Sequence, residues 1–162
     1  MTEQTAVAFT VPGTPQGKGR ARSFQRPSGH IGHYTPEKTR TYEGMIRTLA
    51  MEAMGTQPPM EGPVEMTLFI VMPIPQSWPA WKREMAVAGQ IMPTTKPDSD
   101  NVEKAVKDAL NGVVWGDDAQ VVSTVKAKLY AGGEFRATGV YVSAQQLPAM
   151  PAQHKHKPEA AR

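Results

Sequence analysis

Along this chain, stretches whose apolar residues recur at every second position alternate with stretches where they recur at every third or fourth. Residues 5–11 (Thr-Ala-Val-Ala-Phe-Thr-Val) read as a first strand. Residues 63–72 (Pro-Val-Glu-Met-Thr-Leu-Phe-Ile-Val-Met) read as a second, with Val64, Met66, Leu68 and Ile70 on one face. Between them, residues 12–34 are rich in Gly, Pro and basic side chains and read as a loop. Thr35-Pro36-Glu37 predicts a helix start, with a capping hydroxyl, proline at the first helical position and an acid in the first turn. Tyr42, Met45, Ile46, Leu49, Ala53 and Met54 then recur at helical spacing until Gly55 and Pro58-Pro59 stop the helix. A short helix is predicted over 79–88, with Trp78 and Trp81 as packing residues.

A third helix is predicted over 100–111. Val102, Ala105, Val106, Ala109 and Leu110 fall on one arc, and Asn101, Lys104, Asp108 and Asn111 form a narrow stripe opposite. Gly112 ends it. Val113-Val114-Trp115 is a short extended piece leading into Gly116-Asp117-Asp118. Residues 119–130 alternate as a strand, with Val121, Val125 and Leu129 on one face and Lys126 and Lys128 on the other. Gly132-Gly133 predicts a turn, and 136–144 is expected to return as the hairpin partner of that strand. Residues 147–162 have too few apolar side chains to pack, so they are expected to form a disordered tail behind a domain spanning 1–146. Interspersed strands and helices indicate an α/β fold of the mixed α+β kind: a single compact domain with a small mixed β-sheet flanked by helices.

With 162 residues, the chain is long enough to bury roughly 70% of its unfolded surface without staples. The absence of cysteine excludes disulfide frameworks, thiol catalysis, zinc ribbons and iron–sulfur ligation. No apolar run reaches the roughly 18 residues of a membrane span, and the first residues do not resemble a secretory signal. A soluble cytoplasmic protein is expected. The net charge is only +3, but it is unevenly distributed. Lys18, Arg20, Arg22, Arg26, Lys38, Arg40 and Arg47 are opposed only by Glu37 and Glu43, which suits a polyanion. All five aspartates lie between Asp98 and Asp118. A tight acidic cluster repels a polyanion unless a cation sits within it.

Several common motifs are excluded by their spacing. Gly13-Thr-Pro-Gln-Gly17-Lys18-Gly19 is one residue short of a phosphate-binding P-loop and lacks its Ser/Thr. Asp98-Ser-Asp100-Asn101 begins like a calcium loop, but Glu103 stands where glycine is required. His30 and His33 lie in the Gly-rich loop, and His154 and His156 lie in the tail. The informative stretch is Lys96-Pro97-Asp98-Ser99-Asp100-Asn101, then Lys104, Asp108, and Trp115-Gly116-Asp117-Asp118. Asp98 and Asp100, two apart in an extended approach to the helix, are expected to point the same way, with Asp100 at the helix cap. The 113–115 piece is expected to bring Asp117 and Asp118 back to that end of the helix. Carboxylate ligands without His or Cys indicate Mg²⁺, with Mn²⁺ as a substitute. Such an ion, with a nearby lysine, suits hydrolysis of a phosphodiester.

The pattern Asp98-x-Asp100-Asn101-x-x-Lys104-x-x-x-Asp108-x-Leu110, followed by Trp115-x-Asp117-Asp118-x-Gln120-Val121, closely resembles the RusA family of Holliday junction resolvases. Gly13-Thr14-Pro15 with Lys18, Arg20 and Arg22, then Tyr34-Thr35-Pro36, then Lys96-Pro97-Asp98, extend the likeness over about residues 6 to 144. The resemblance implies a RusA-like nuclease domain and Mg²⁺-dependent cleavage of four-way or branched DNA by paired symmetric nicks from a homodimer, in recombination and repair. It matches Asp98, Asp100 and Asp118 to essential metal-binding acids and Lys104 to an essential lysine. Asp117 stays open as an alternative ligand, while Asn101 and Asp108 read as support around the site. Upstream of Asp98 some relatives carry a run of arginines, whereas this chain has only Lys96. Lys18, Arg20, Arg22 and Arg26 are therefore the expected DNA contacts beside Lys96. Two other readings are a non-catalytic branched-DNA-binding module and a metal-dependent phosphoesterase of small nucleotides.

Overall fold

The most apolar strand takes the centre of the sheet, because only an interior strand is paired along both edges. In the computed structural model, which describes residues 5–149, this strand is β4 (Val64–Met72). The other sheet strands are β1 (Ala6–Pro12), β5 (Val121–Tyr130) and β6 (Gly139–Gln146), in the order β1-β6-β4-β5. β4 is parallel to β5 and antiparallel to β6, so the sheet is mixed. The helices are α1 (Glu37–Met54), α2 (Ala80–Val87) and α3 (Ser99–Leu110), with a 3-10 turn at Asp118–Gln120. A separate antiparallel pair, β2 (Arg22–Gln25) and β3 (Ile31–Tyr34), completes the molecule. The mixed α+β architecture matches the sequence expectation.

The core lies between α1, α3 and one face of the sheet. Met66, Leu68 and Ile70 from β4 meet Val140, Val142 and Ala144 from β6, and all are buried. The arc expected on α3 is the arc observed: Val102, Ala105, Val106, Ala109 and Leu110 are all buried. Burying each of the larger ones contributes about 1.5–3 kcal/mol. On α1 the buried stripe is Thr39, Tyr42, Ile46, Ala50 and Met54, which leaves Met45 and Ala53 exposed. Arg47 on α1 donates to Ala109 O and Asn111 O, at 3.4 and 2.9 Å, and so caps the last carbonyls of α3 with a cation.

Several local expectations change. β6 does not form a hairpin with β5, because β4 lies between them. The lysines of β5 suit it to an edge, and the connection after it crosses the end of β4, where Ala131 N donates to Met72 O at 3.0 Å. On β5 only Val121 of the expected apolar face packs against the core; the pairing register shifts between Val64 and Glu65, after which Lys126 and Lys128 pair with the buried Leu68 and Ile70, while Val125 is 54% exposed. The loop over 12–34 contains the β2–β3 hairpin, which its lack of apolar alternation concealed. Pro36, in an extended conformation, takes the N-cap of α1 in place of Thr35 and makes no side-chain cap bond. Trp81 is 61% exposed; Trp78 packs edge-on against Tyr130, with Lys82 over its ring at 3.9 Å. Of the predicted tail, Leu147 N donates to Pro63 O, and most of the rest, with His154 and His156, lies outside the described residues. No helix among the described residues is long and apolar enough to cross a membrane.

Candidate nucleic-acid cleft and acidic site

The site is built around the two ends of α3. At its start, Pro97 follows Lys96 through a cis peptide, and Asp98, in an extended conformation, is the N-cap. Asp100 therefore lies inside the first helical turn and not in an extended approach to it, two residues beyond the cap position the spacing suggested. An acid is favoured here by the unpaired N–H groups and the helix dipole. Each carboxylate meets an ammonium group. Lys96 Nζ donates to Asp98 Oδ2 at 2.7 Å, and Lys126 Nζ donates to Asp100 Oδ1 and, at 2.7 Å, to Glu103 Oε2. The hydrogen bond from Lys96, with the charges of Lys96 and Lys128, holds the Asp98 carboxyl below the usual carboxylate range. Partial burial opposes the charge of Lys126, but its hydrogen bonds to Asp100 and Glu103 prevail and raise its pKa. Lys128 Nζ donates to Pro97 O at 2.9 Å and also to Thr95 O, so β5 fastens the approach to Asp98.

The N-terminal loop crosses this end of α3. Lys18 N donates to Asn101 O at 2.9 Å. Gly17 passes so close that an added Cβ would stand 3.0 Å from the Asn101 Cβ and 3.3 Å from the Pro97 Cβ. Lys18 Nζ is bound to Asp108 on α3 and lies 3.4 Å from Glu43 Oε1 on α1. That Glu43 oxygen is buried with no hydrogen-bond partner, so the Lys18 charge is what compensates it. Burial opposes the Lys18 charge, yet Asp108 and Glu43 outweigh it and raise its pKa. Lys18 thus ties the loop to α1 and α3.

Between the loop and the start of α3 is a cleft of about 790 Å³. Arg20, Arg22, Lys38 and Lys96 line it, and Asp98 and Asn101 form its floor at α3. Arg20, Arg22 and Lys38 are exposed and make no ion pair with any described residue. Arg26 lies further out, stacked over Phe24 at 5.9 Å. Lys38 carries the same signal as the arginines, a basic residue without a nearby acid partner, but its place on a helix hid its position in the cleft. Lys104 is exposed on α3 and makes no ion pair with any described residue.

At the other end of α3 the chain turns tightly. Gly112 N donates to Trp115 O at 2.7 Å, and Trp115 Nε1 donates to Asn111 Oδ1 at 2.9 Å. Asp117 caps the 3-10 turn: its carboxylate accepts from Ala119 N at 2.8 Å, while Gln120 Oε1 accepts from Gly116 N and Asp117 N. Gln120 Nε2 donates to Met60 O and Gly62 O, at 2.9 and 3.0 Å, and anchors the turn to the chain before β4. Asp118 is exposed beside it, with no ion pair to any described residue. The expected return of Asp117 and Asp118 to Asp98 does not occur within one chain. The twelve residues of α3 place roughly 18 Å of helix between the two ends. Accordingly, no group of three His, Asp or Glu side chains among the described residues is close enough to hold a metal ion.

Comparison with known proteins identifies the family of the chain that carries this cleft. The family model for endodeoxyribonuclease RusA matches residues 12–142. The uncharacterized protein YqaN of Bacillus subtilis (strain 168) is 36% identical over 127 residues, which cover 77% of this chain and 88% of that protein. The chain belongs to the RusA endodeoxyribonuclease family.

Proposed function

We propose that this chain is a divalent-metal-dependent endonuclease that resolves Holliday junctions and other branched DNA, acting as a homodimer in recombination and repair. The observation that carries the reading is the cleft lined by Arg20, Arg22, Lys38 and Lys96 that runs onto Asp98 at the start of α3. Its walls suit phosphates and its end suits a cation, as a phosphodiester hydrolase requires. Asp98 lines the cleft and Asp100 follows it in the first turn of α3; each already holds an ammonium group, and both offer only oxygen. One or two carboxylates with phosphate oxygens are an ordinary ligand set for Mg²⁺.

On this reading Asp98 and Asp100 would hold Mg²⁺ or Mn²⁺, which when bound would supply polarisation of the phosphate and a stronger nucleophile from water. Asp118 is the third acid and reaches such a site only from a second copy of the chain. That agrees with a two-fold dimer acting on a junction with equivalent opposed strands. Lys104, unpaired on the exposed stripe of α3, balances charge on the phosphate as the water oxygen bonds to phosphorus, the bridging P–O bond breaks and the leaving oxygen takes a proton. Arg20, Arg22, Arg26 and Lys96 hold the strand. Lys18 and Asp108 keep the loop in place, and Asn101 supports it through its carbonyl.

A labelled four-way junction incubated with and without Mg²⁺ and run on a denaturing gel tests the reading. Paired symmetric cuts only with the ion are expected. Salt-sensitive binding with no product at any Mg²⁺ or Mn²⁺ concentration would leave a DNA-binding module. Turnover of small phosphodiesters with indifference to the junction would replace DNA as the substrate.

A further inference from the structure

The β2–β3 hairpin reaches the cleft only through Arg22 at its base and contributes no residue to the buried apolar core. Every residue from Arg20 to Ile31 is exposed, and the two strands pair only with each other. An isolated two-stranded ribbon is marginal in water, and this one exposes large apolar groups: Phe24 at 44%, Ile31 at 68% and Tyr34 at 47%. The aromatics are ordered on one face. Phe24 lies across from Gly32, where a Cβ would stand 2.6 Å from the ring, so glycine is what lets the ring settle over the partner strand. The Tyr34 ring is 6.1 Å from it, and the Arg26 guanidinium stacks over it. Arg22 shares that face, and no acid occurs between residues 13 and 36. Arg20 and Arg22 at the base of the ribbon also line the cleft that leads to Asp98, so the two surfaces are continuous.

Half-exposed aromatic rings interleaved with arginines that make no ion pair with any described residue match a nucleic acid whose bases are unstacked, a base taking the place of the Arg26 guanidinium over Phe24. A base gives the ring a π-face to stack on, and its phosphates meet the guanidinium groups. Fully stacked duplex offers no such base, whereas a branch point does. We propose that the β2–β3 hairpin is a DNA-engaging arm that stacks an unpaired base of the branch point on Phe24 and Tyr34, and so favours branched DNA over duplex. The proposal rests on the nuclease reading above and names the part of the chain that recognises the branch.

The test uses the full chain without added divalent metal, with a four-way junction carrying 2-aminopurine at the branch point and a duplex of equal length. Wild type is expected to prefer the junction and to change the 2-aminopurine fluorescence on binding. Phe24→Ala/Tyr34→Ala should weaken junction binding about tenfold or more, abolish the fluorescence change and leave the duplex Kd within about twofold. Phe24→Trp should keep the preference. Should the double variant lose its folded far-UV signal, Tyr34→Leu, which spares the Phe24–Gly32 packing, carries the test with the same expected direction. Unchanged junction binding by the variants, or equal weakening on junction and duplex, overturns the arm alone. The same holds if sedimentation shows the double variant dissociating and its affinity returns at concentrations that restore the dimer, because the hairpin is then a contact between copies. Wild type that binds neither DNA overturns the nuclease reading, and the arm with it.

Discussion

Asp118 and Asp98 stand at opposite ends of α3, although the family resemblance assigns both to one metal site. The separation follows from the hydrogen bonds of Trp115 with Gly112 and Asn111, which fold the chain back at the end of the helix. Pairing of Val121 with Val64 then carries β5 along the sheet to Lys126, which meets Asp100. Five residues of strand span roughly 16 Å, so Asp118 and Asp100 are far apart in this direction too.

The first prediction concerns how such a site is completed. Asp98→Asn and Asp118→Asn should each lower junction cleavage at least about 100-fold while sparing binding. Co-refolding the two inactive variants should restore nicking of one strand, because a mixed dimer contains one site in which a wild-type Asp98 faces a wild-type Asp118 and one site that carries both substitutions. Failure of the mixture to recover activity would exclude completion by a second copy.

Lys18 lies in the basic segment, yet its bonds are internal. Lys18→Met should destabilise the fold by about 2 kcal/mol, read as a lower urea midpoint, because it leaves the buried Glu43 oxygen uncompensated. Adding Glu43→Gln should recover part of that loss. A double variant no more stable than Lys18→Met would show that the pair does not act through charge.

The phosphate-facing cations should behave differently. Arg20→Ala and Arg22→Ala should leave stability unchanged and weaken binding to every DNA. Each should reduce the salt-dependence slope of log K by about 1. Measuring Kd across a salt series checks this; an unchanged slope would remove that residue from the phosphate track.

Glu103 supplies a pH signature. Burial favours its neutral form, but hydrogen bonds from Lys107 and Lys126 outweigh that and lower its folded pKa below the ordinary value of 4.5. A carboxylate with a depressed folded pKa gives stability that is present above its unfolded pKa and lost as pH falls through the folded value. Thermal midpoints should therefore fall on acidification below about 4.5, and Glu103→Gln should flatten that fall while lowering the midpoint at neutral pH. Equal slopes for the two proteins would exclude Glu103 as a contributor.

Gln120 holds four backbone groups from two segments of the chain, 116–117 and 60–62. Gln120→Ala should cost about 2 kcal/mol, and should lower cleavage more than junction binding, since it frees the turn that carries Asp118. A loss of stability with full cleavage would show that the turn need not be rigid.

What the sequence by itself determined is local. The 3.6-residue spacing identified the buried arc of α3, the two-residue spacing identified the inward face of β4, and the segregation of charge separated a basic approach from an acidic site. Each follows from which neighbours along the chain share a face. Strand order, the partner of β6, the side to which Lys126 turns and the separation of Asp118 from Asp98 were settled by the tertiary structure. Periodicity says which face an element buries, but not which element covers it or in which direction the chain returns. β4 became the central strand because its apolar side chains bury best when it is paired on both edges. That placement sent β5 to the edge, turned its lysines toward α3, and left Asp118 and Asp98 at opposite ends of one helix.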